Sequence, residues 1–335
     1  MPTIVKKVIR SFFPEYRLLS IEKELHHGSW NKDLHYKIIV DQQCYSIRFI
    51  SQNRSGHQAF GEISDEVLRE QIRYTNFLGQ QGIPFMKHVP SYQGCPFVSI
   101  EWNDCLYRVV LFRWIHGEHI TKCTERFTGL VGESVKEIHM VSKTFDSEIL
   151  PKKSHLTGYG EFLSTVKEQL DTGKLSDVIN ELVGSYLIKA EAYIAAAKSD
   201  TFEFIVQSDL NPLNLLWDDQ CRLRGIVDIE SIEYTDRMEG LAWLLKWYSR
   251  SDGIESSHFS PFLAKTFLAA YRVDQVFSSE EINRLQSLLW LSGCLNWNFV
   301  KRTLELMDIG DEETLKHHLG HYEERGEKLV SLVRD

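Results

Sequence analysis

Asp209 and Asn214 stand five residues apart in the stretch Val206-Gln207-Ser208-Asp209-Leu210-Asn211-Pro212-Leu213-Asn214, and a second carboxylate, Asp228, closes the apolar run Gly225-Ile226-Val227. A carboxylate, an amide and a further carboxylate are what phosphoryl transfer asks of a protein: one group orients the attacking hydroxyl, and oxygen ligands hold a divalent metal that bridges and neutralises phosphate oxygens. Asp209 fits the first task. Asn214 and Asp228 fit the second, because Mg2+ is a hard ion that prefers oxygen, keeps several waters and needs few protein groups. Taken singly, each is an ordinary turn or cap residue, since Asp and Asn bond readily to nearby backbone. Their order, with β-like runs on either side, sets them apart.

The elements that must position these groups follow from periodicity. Leu213 to Trp217 and Leu223 to Ile229 read as short strands about the turn Asp218-Asp219-Gln220, and they interrupt a mostly helical region. Helical spacing or good helix formers mark Phe127 to Val141, Tyr159 to Leu170, Leu175 to Lys198, Glu239 to Tyr248, Pro261 to Tyr271, Ser279 to Leu306 and Glu312 to Val333. The first third is strand-like instead. Apolar residues recur in Tyr16 to Leu25, then alternate through Tyr36, Ile38 and Val40, turn at Asp41-Gln42-Gln43, and resume at Tyr45, Ile47 and Phe49. A helix follows from Ser64, capped by Asp65 and stopped by Gly82-Ile83-Pro84, and two more strands, Phe97 to Trp102 and Leu106 to Trp114, flank the turn Asn103-Asp104. The layout is α+β: a five-stranded antiparallel sheet with one helix in residues 1–111, a hinge at 112–117, and a helical lobe from 118 to 335 that carries the hairpin.

Composition bounds the setting. Hydrophobic residues at 43% and charged residues at 25%, with no biased tract, describe a globular chain long enough for two lobes. A formal net charge of −9 repels nucleic-acid backbones and is compatible with a cationic small molecule. No apolar run nears the roughly 20 residues that a membrane span requires, and residues 1–14 lack the h-region of an export signal, so no membrane partner and a cytoplasmic location are expected. The cysteines show no C-x-x-C spacing and read as free thiols. His116 with His119, and His317 with His321, are spaced as candidate metal pairs, the second one helical turn apart, but that second pair lies in a polar segment better read as a solvated helix face. Trp243, Trp247, Tyr248, Trp290 and Trp297 have the spacing of core packing, with an aromatic cage for an ammonium group as the other reading.

The segments QSDLNPLNLL and GIVDIE resemble the aminoglycoside phosphotransferase, choline kinase and homoserine kinase superfamily, whose pattern is roughly H-x-D-x-x-x-x-N, a turn, and a strand ending in D-x-E. The resemblance spans about residues 15 to 250. Gly28-Ser29-Trp30-Asn31 resembles the family's nucleotide loop, Arg48 its third-strand cation, Glu70 the helix glutamate that pairs with it, and Phe112-Arg113-Trp114-Ile115-His116-Gly117 its hinge. It implies a bilobal protein-kinase-like fold, with an antiparallel sheet in the N-terminal lobe and a mainly helical C-terminal lobe. The implied reaction moves the γ-phosphoryl group of ATP or GTP to a hydroxyl of a small acceptor of aminoglycoside, amino alcohol or sugar type. Asp209 would be the base; Asn214 and Asp228 would bind Mg2+; Gly28, Asn31, Arg48, Glu70, Phe112 and Trp114 would bind nucleotide; Glu230 would bind a second metal or an amine, or be a plain exposed carboxylate. Two departures stand out: Gln207 replaces the family's histidine, and Gly240 replaces an aspartate before Leu241-Ala242. They motivate the alternative of a nucleotide-binding pseudokinase. A protein kinase is disfavoured by the long helical segment before the loop. The acceptor, the choice between ATP and GTP, and the oligomeric state are left open.

Overall fold

The computed structural model describes residues 3–25, 33–52, 63–172, 175–272 and 278–334. The chain divides into two compact units. The first comprises residues 1–119, 145–151 and 214–232, and the second comprises 120–144, 152–213 and 233–335. The hairpin that follows the Asp209 loop is thus gathered with the sheet.

In the first unit, β1 (Leu19–Glu24), β2 (Leu34–Val40) and β3 (Gln43–Ser51) form the meander that alternation predicts. Tyr36, Ile38 and Val40 and then Tyr45, Ile47 and Phe49 are buried on one face, and the register sets Tyr36 opposite Ile47 and Ile38 opposite Tyr45. The β2–β3 connection is a two-residue turn at Asp41 and Gln42, both at positive φ (46° and 71°), and Gln43 already belongs to β3. Asp41 Oδ1 also accepts the Arg17 and Leu18 N–H groups at 3.0 and 2.8 Å, which pins the entry to β1.

After α2 (Asp65–Gln80) come β4 (His88–Val89), β5 (Val98–Trp102) and β6 (Cys105–Arg113). The sheet order is β1-β2-β3-β6-β4, with β5 also on β6. Six strands stand where five were expected, because a two-residue strand carries no readable period. The cap of α2 is Ser64, whose hydroxyl accepts the Val67 N–H at 3.2 Å, and Asp65 is the first helical residue, where its charge favours the helix dipole. A short helix unforeseen in the sequence, α1 (Thr3–Val8), lays Ile4, Val5 and Val8 into the core formed by Ile38, Ile47, Phe49 and Val109.

The hairpin strands β8 (Leu215–Trp217) and β9 (Leu223–Ile226) are held to this unit by backbone bonds. Trp217 and Glu118 exchange N–H···O bonds at 2.9 Å, and Ile226 pairs with Pro84 and Met86 at 2.8 and 2.9 Å. Gly117 allows this approach: a Cβ there would sit 2.9 Å from the Trp217 carbonyl. Gly117→Ala is expected to destabilise the protein by about 1–3 kcal/mol through overpacking against fixed backbone, read as a lowered midpoint in urea unfolding with an unchanged slope.

The second unit contains α3 (Glu125–Ser142), α4 (His155–Leu170), α5 (Asp177–Ala197), β7 (Phe204–Gln207) and β10 (Ile232–Thr235), then α6 (Arg237–Tyr248), α7 (Pro261–Ala270), α8 (Ser279–Cys294), α9 (Trp297–Ile309) and α10 (Glu312–Val330). The single helix expected over 279–306 is two. Leu295 is extended, and Asn296 restarts the chain as the cap of α9, its side chain accepting the Phe299 N–H at 3.0 Å. The centre of α8 is buried all round, and Trp290 stacks on Tyr193 at 4.3 Å between ring centroids. Trp290 and Tyr248 are core residues, as their spacing favoured. All six cysteines are free. No helix among the described residues is long and apolar enough to cross a membrane.

Candidate active site

The loop that carries Asp209 begins where β7, buried along its whole length, delivers Gln207. The Gln207 side chain folds back: its Oε1 accepts the Asp209 N–H at 3.0 Å. The amide thus bonds the loop backbone from the position where the family pattern has an imidazole. Leu210 continues inward, and its carbonyl accepts the buried Tyr248 hydroxyl at 2.9 Å. With its backbone held on both sides, the half-buried Asp209 carboxylate is turned by a third contact, the Trp243 indole N–H donating to Oδ1 at 3.1 Å. Trp243 is legible in the sequence as an aromatic at helical spacing, but nothing there shows that its N–H reaches the loop. Its ring also meets His155 at 5.7 Å, where burial and the neighbouring Lys246 push the imidazole down to about 4.

Ser208, beside Asp209, donates its hydroxyl to Glu233 Oε1 at 2.9 Å. Burial pushes this carboxyl up to about 7, against the Ser208 bond and the Lys153 charge. A raised carboxyl binds its proton more tightly when folded, so Glu233 supports stability below pH ~4.5 and the contribution is lost as pH rises through about 7. Glu233→Gln keeps an acceptor for Ser208 and is expected to flatten the fall in stability across that window. Unfolding midpoints in denaturant at pH 5 and pH 8 measure it, and an unchanged difference between the two pH values would refute the assignment.

The remaining carboxylates lie in the first unit. Asn214 ends a short 3-10 turn from Pro212, and its carbonyl accepts the Val227 N–H at 2.9 Å, which sets Asn214 beside the residue preceding Asp228. Asp228 has φ of +72°, a left-handed conformation that aspartate tolerates better than most residues. Its Oδ1 accepts the Glu230 N–H at 3.2 Å and Arg48 Nη1–H at 3.0 Å. The same guanidinium bonds Glu230 and lies 3.7 Å from Asp33, a buried residue whose other oxygen accepts the Ser51 N–H. Burial works against the Arg48 charge, but Glu230, Asp228 and Asp33 outweigh it and hold the guanidinium above its ordinary range.

The structure does not bring Arg48 and Glu70 together. Glu70, buried on α2, is bonded by Arg73 three residues on, and that bond, with help from Ser147, holds its carboxyl below the usual range against the cost of burial. The expected pair is corrected to Arg48 with Asp228, Glu230 and Asp33, and Glu70 with Arg73. The residue of α2 that does reach the Asp228 loop is the buried Gln71, whose amide donates to the carbonyls of Glu230 and Ile232 at 3.3 and 3.4 Å. Neither Asp33 nor Gln71 carries a sequence signal of its own. Glu230 is half-buried and ion-paired, not a plain exposed carboxylate.

Phe112 is buried on β6 against His88, and Trp114 begins the irregular segment after it, with its N–H on the Cys44 carbonyl at 3.1 Å and Lys37 over its ring. Gly28 and Asn31 lie outside the described residues.

Among the described residues no group of three or more His, Cys, Asp or Glu side chains forms a metal cage. The groups available suit Mg2+ nevertheless. Asp228, Glu230 and Asn214 offer only hard oxygen donors, and between the two carboxylates sits one cation, the Arg48 guanidinium.

Residues 54–281 match the model of the phosphotransferase enzyme family, labelled APH. No curated protein sequence matches significantly. Among solved structures, the chain resembles an amicoumacin kinase in complex with AMP-PNP and Ca2+ (TM-score 0.64, 15% identity, covering 97% of this chain and 93% of that one). It also resembles an aminoglycoside phosphotransferase from Alicyclobacillus acidocaldarius (0.61, 13%, 96% and 94%) and a choline kinase from Cryptosporidium parvum (0.59, 11%, 98% and 96%). These likenesses establish a protein-kinase-like α+β fold. Since the family model spans more than half of the sequence, the chain belongs to the phosphotransferase enzyme family.

Proposed function

We propose that the protein is a small-molecule kinase that moves the γ-phosphoryl group of ATP or GTP to an acceptor hydroxyl, with Asp209 as base, and that it works in the cytoplasm. The observation that carries this reading is the fixing of Asp209 by Gln207 and Trp243, which aims one carboxylate oxygen while the backbone is held. A group placed this way takes up or orients the hydroxyl proton without first reorganising. Asn214 and Asp228 would hold Mg2+, with Glu230 beside them; the metal, when bound, neutralises charge on the phosphate oxygens. Arg48, which bonds Asp228 and Glu230 beside that position, would contact the phosphates, while Phe112, Trp114 and the Gly28–Asn31 segment would contact the nucleotide. Glu70 supports α2 through Arg73 and stands one residue before Gln71, so its part in nucleotide binding is indirect. The neighbouring structures named for aminoglycosides, aminopropanol and choline all concern small hydroxylated molecules.

The test is consumption of ATP and of GTP by the purified protein with Mg2+ across hydroxylated amines, acids, sugars and antibiotics, with phosphorylated product identified by mass. Turnover stimulated by one acceptor supports the reading. Nucleotide binding without turnover for any acceptor, protein included, would make the chain a nucleotide-binding regulator instead.

A further inference from the structure

On α6, Lys246 and Trp247 stand three and four residues after Trp243 and so lie on its face of the helix, and Arg250 follows just beyond the C-cap Ser249. Trp243 touches Asp209 through its indole edge. Its face is taken by Lys246, whose Nζ lies 4.6 Å from the ring centroid and 5.9 Å from that of Trp247, and the Arg250 guanidinium covers Trp247 at 4.7 Å. The two indole faces that an aromatic cage would offer to a ligand ammonium therefore already carry the protein's own cations.

These cations lack carboxylate partners. Lys246 is 6% exposed, and among the described residues neither it, Arg250 nor Arg325 of α10 makes an ion pair. The Arg250 N–H groups go to the carbonyls of Lys246 and Ile254. The acids acting on the cluster do so at longer range, Asp209 on Lys246 and Glu255 on Arg250. Burial, Arg325 and Arg250 together press the Lys246 ammonium down to about 7, with Asp209 opposing. A buried ammonium without a counter-charge is costly, and an arriving anion relieves that cost.

Resting on the kinase reading above, we propose that the acceptor is an anion, a hydroxylated carboxylic acid or similar hydroxy anion, whose negative group is held by Lys246 with Arg250 and Arg325 while its hydroxyl faces Asp209. Trp243 sets the spacing, since its edge meets the base and its face meets the ammonium. The overall charge of −9 is compatible with a cationic acceptor, but the charge beside Asp209 has the opposite sign.

Calorimetric binding of glycerate and gluconate, set against ethanolamine, choline and glycerol, tests this with Mg2+ and a non-hydrolysable nucleotide present, in the intact protein and in Lys246→Met. The acids should bind the intact protein at least about tenfold more tightly than the amines or glycerol, the gap a single opposed charge creates, and Lys246→Met should remove that preference. Preference for an amine, or equal affinity for acids in both proteins, overturns the proposal, as does no binding of either acid. The comparison of acids with amines in the intact protein stands even if the variant fails to fold. Failure of a bound acid to become phosphorylated with ATP would count against the kinase reading alone.

Discussion

Replacing Asp209 with Asn is expected to lower kcat by about 10^2 to 10^4-fold, the usual worth of a positioned general base, and to leave nucleotide affinity unchanged. The substitution isolates the base. Asn keeps an oxygen to accept the Trp243 N–H, and the backbone bond to Gln207 does not involve the side chain. Loop geometry should therefore survive, and the loss should appear in kcat with little change in KM for either substrate. Asp209→Ala removes the acceptor as well and leaves the indole N–H unsatisfied, so it should fall further and also lower thermal stability. Pre-steady-state product formation measures both. If Asp209→Asn retained more than about a tenth of the rate, below the smallest effect typical of such a base, Asp209 would not be the base.

Replacing Asp228 has a different signature, because two properties meet in one residue. In its proposed role as a metal ligand its loss should cost about 10^2 to 10^3-fold or more in kcat, the scale set by removing one preorganised group that stabilises transition-state charge, and should raise the Mg2+ concentration needed for half-maximal rate. As a residue at φ of +72°, it also bears backbone strain. Asn tolerates that conformation, whereas Ala should lose a further ~1 kcal/mol or more of stability. Both variants deprive Arg48 of a carboxylate but leave it Glu230 and Asp33. Kinetics at a series of Mg2+ concentrations, with parallel unfolding curves, separates the two effects. Equal activity of Asp228→Asn and the parent at limiting Mg2+ would remove Asp228 from the metal site.

The parts of this site that could be read in the sequence are those that depend on local order. The loop from Gln207 to Asn214 and the run Gly225-Ile226-Val227-Asp228, whose aspartate lies two residues beyond β9, are contiguous patterns, and alternation in β2 and β3 reports directly on which face is buried. Partnerships across the chain are less accessible. Glu70 and Arg48 have the residue types of a kinase ion pair, but Arg73 lies three positions from Glu70 on the same helix and captures it locally. Asp33 precedes β2 as an unremarkable acid until folding buries it against Arg48. The strand β4 is too short to show a period, and α1 is six residues whose apolar face has meaning only against a sheet. Lys246 was hidden for a related reason: a lysine in an apolar helix reads as a surface residue, and only the packing of α6 shows its charge buried beside the base.

Gln207 gives the Asp209 loop an unusual constancy. An imidazole at that position would gain or lose a proton between roughly pH 5 and 8, and its hydrogen bonding would change with it. A carboxamide has no such transition, so the bond to the Asp209 N–H is the same in acid as at neutrality. The backbone beneath Asp209 therefore keeps its hydrogen bond while the neighbouring Glu233, its carboxyl pushed up by burial, changes charge.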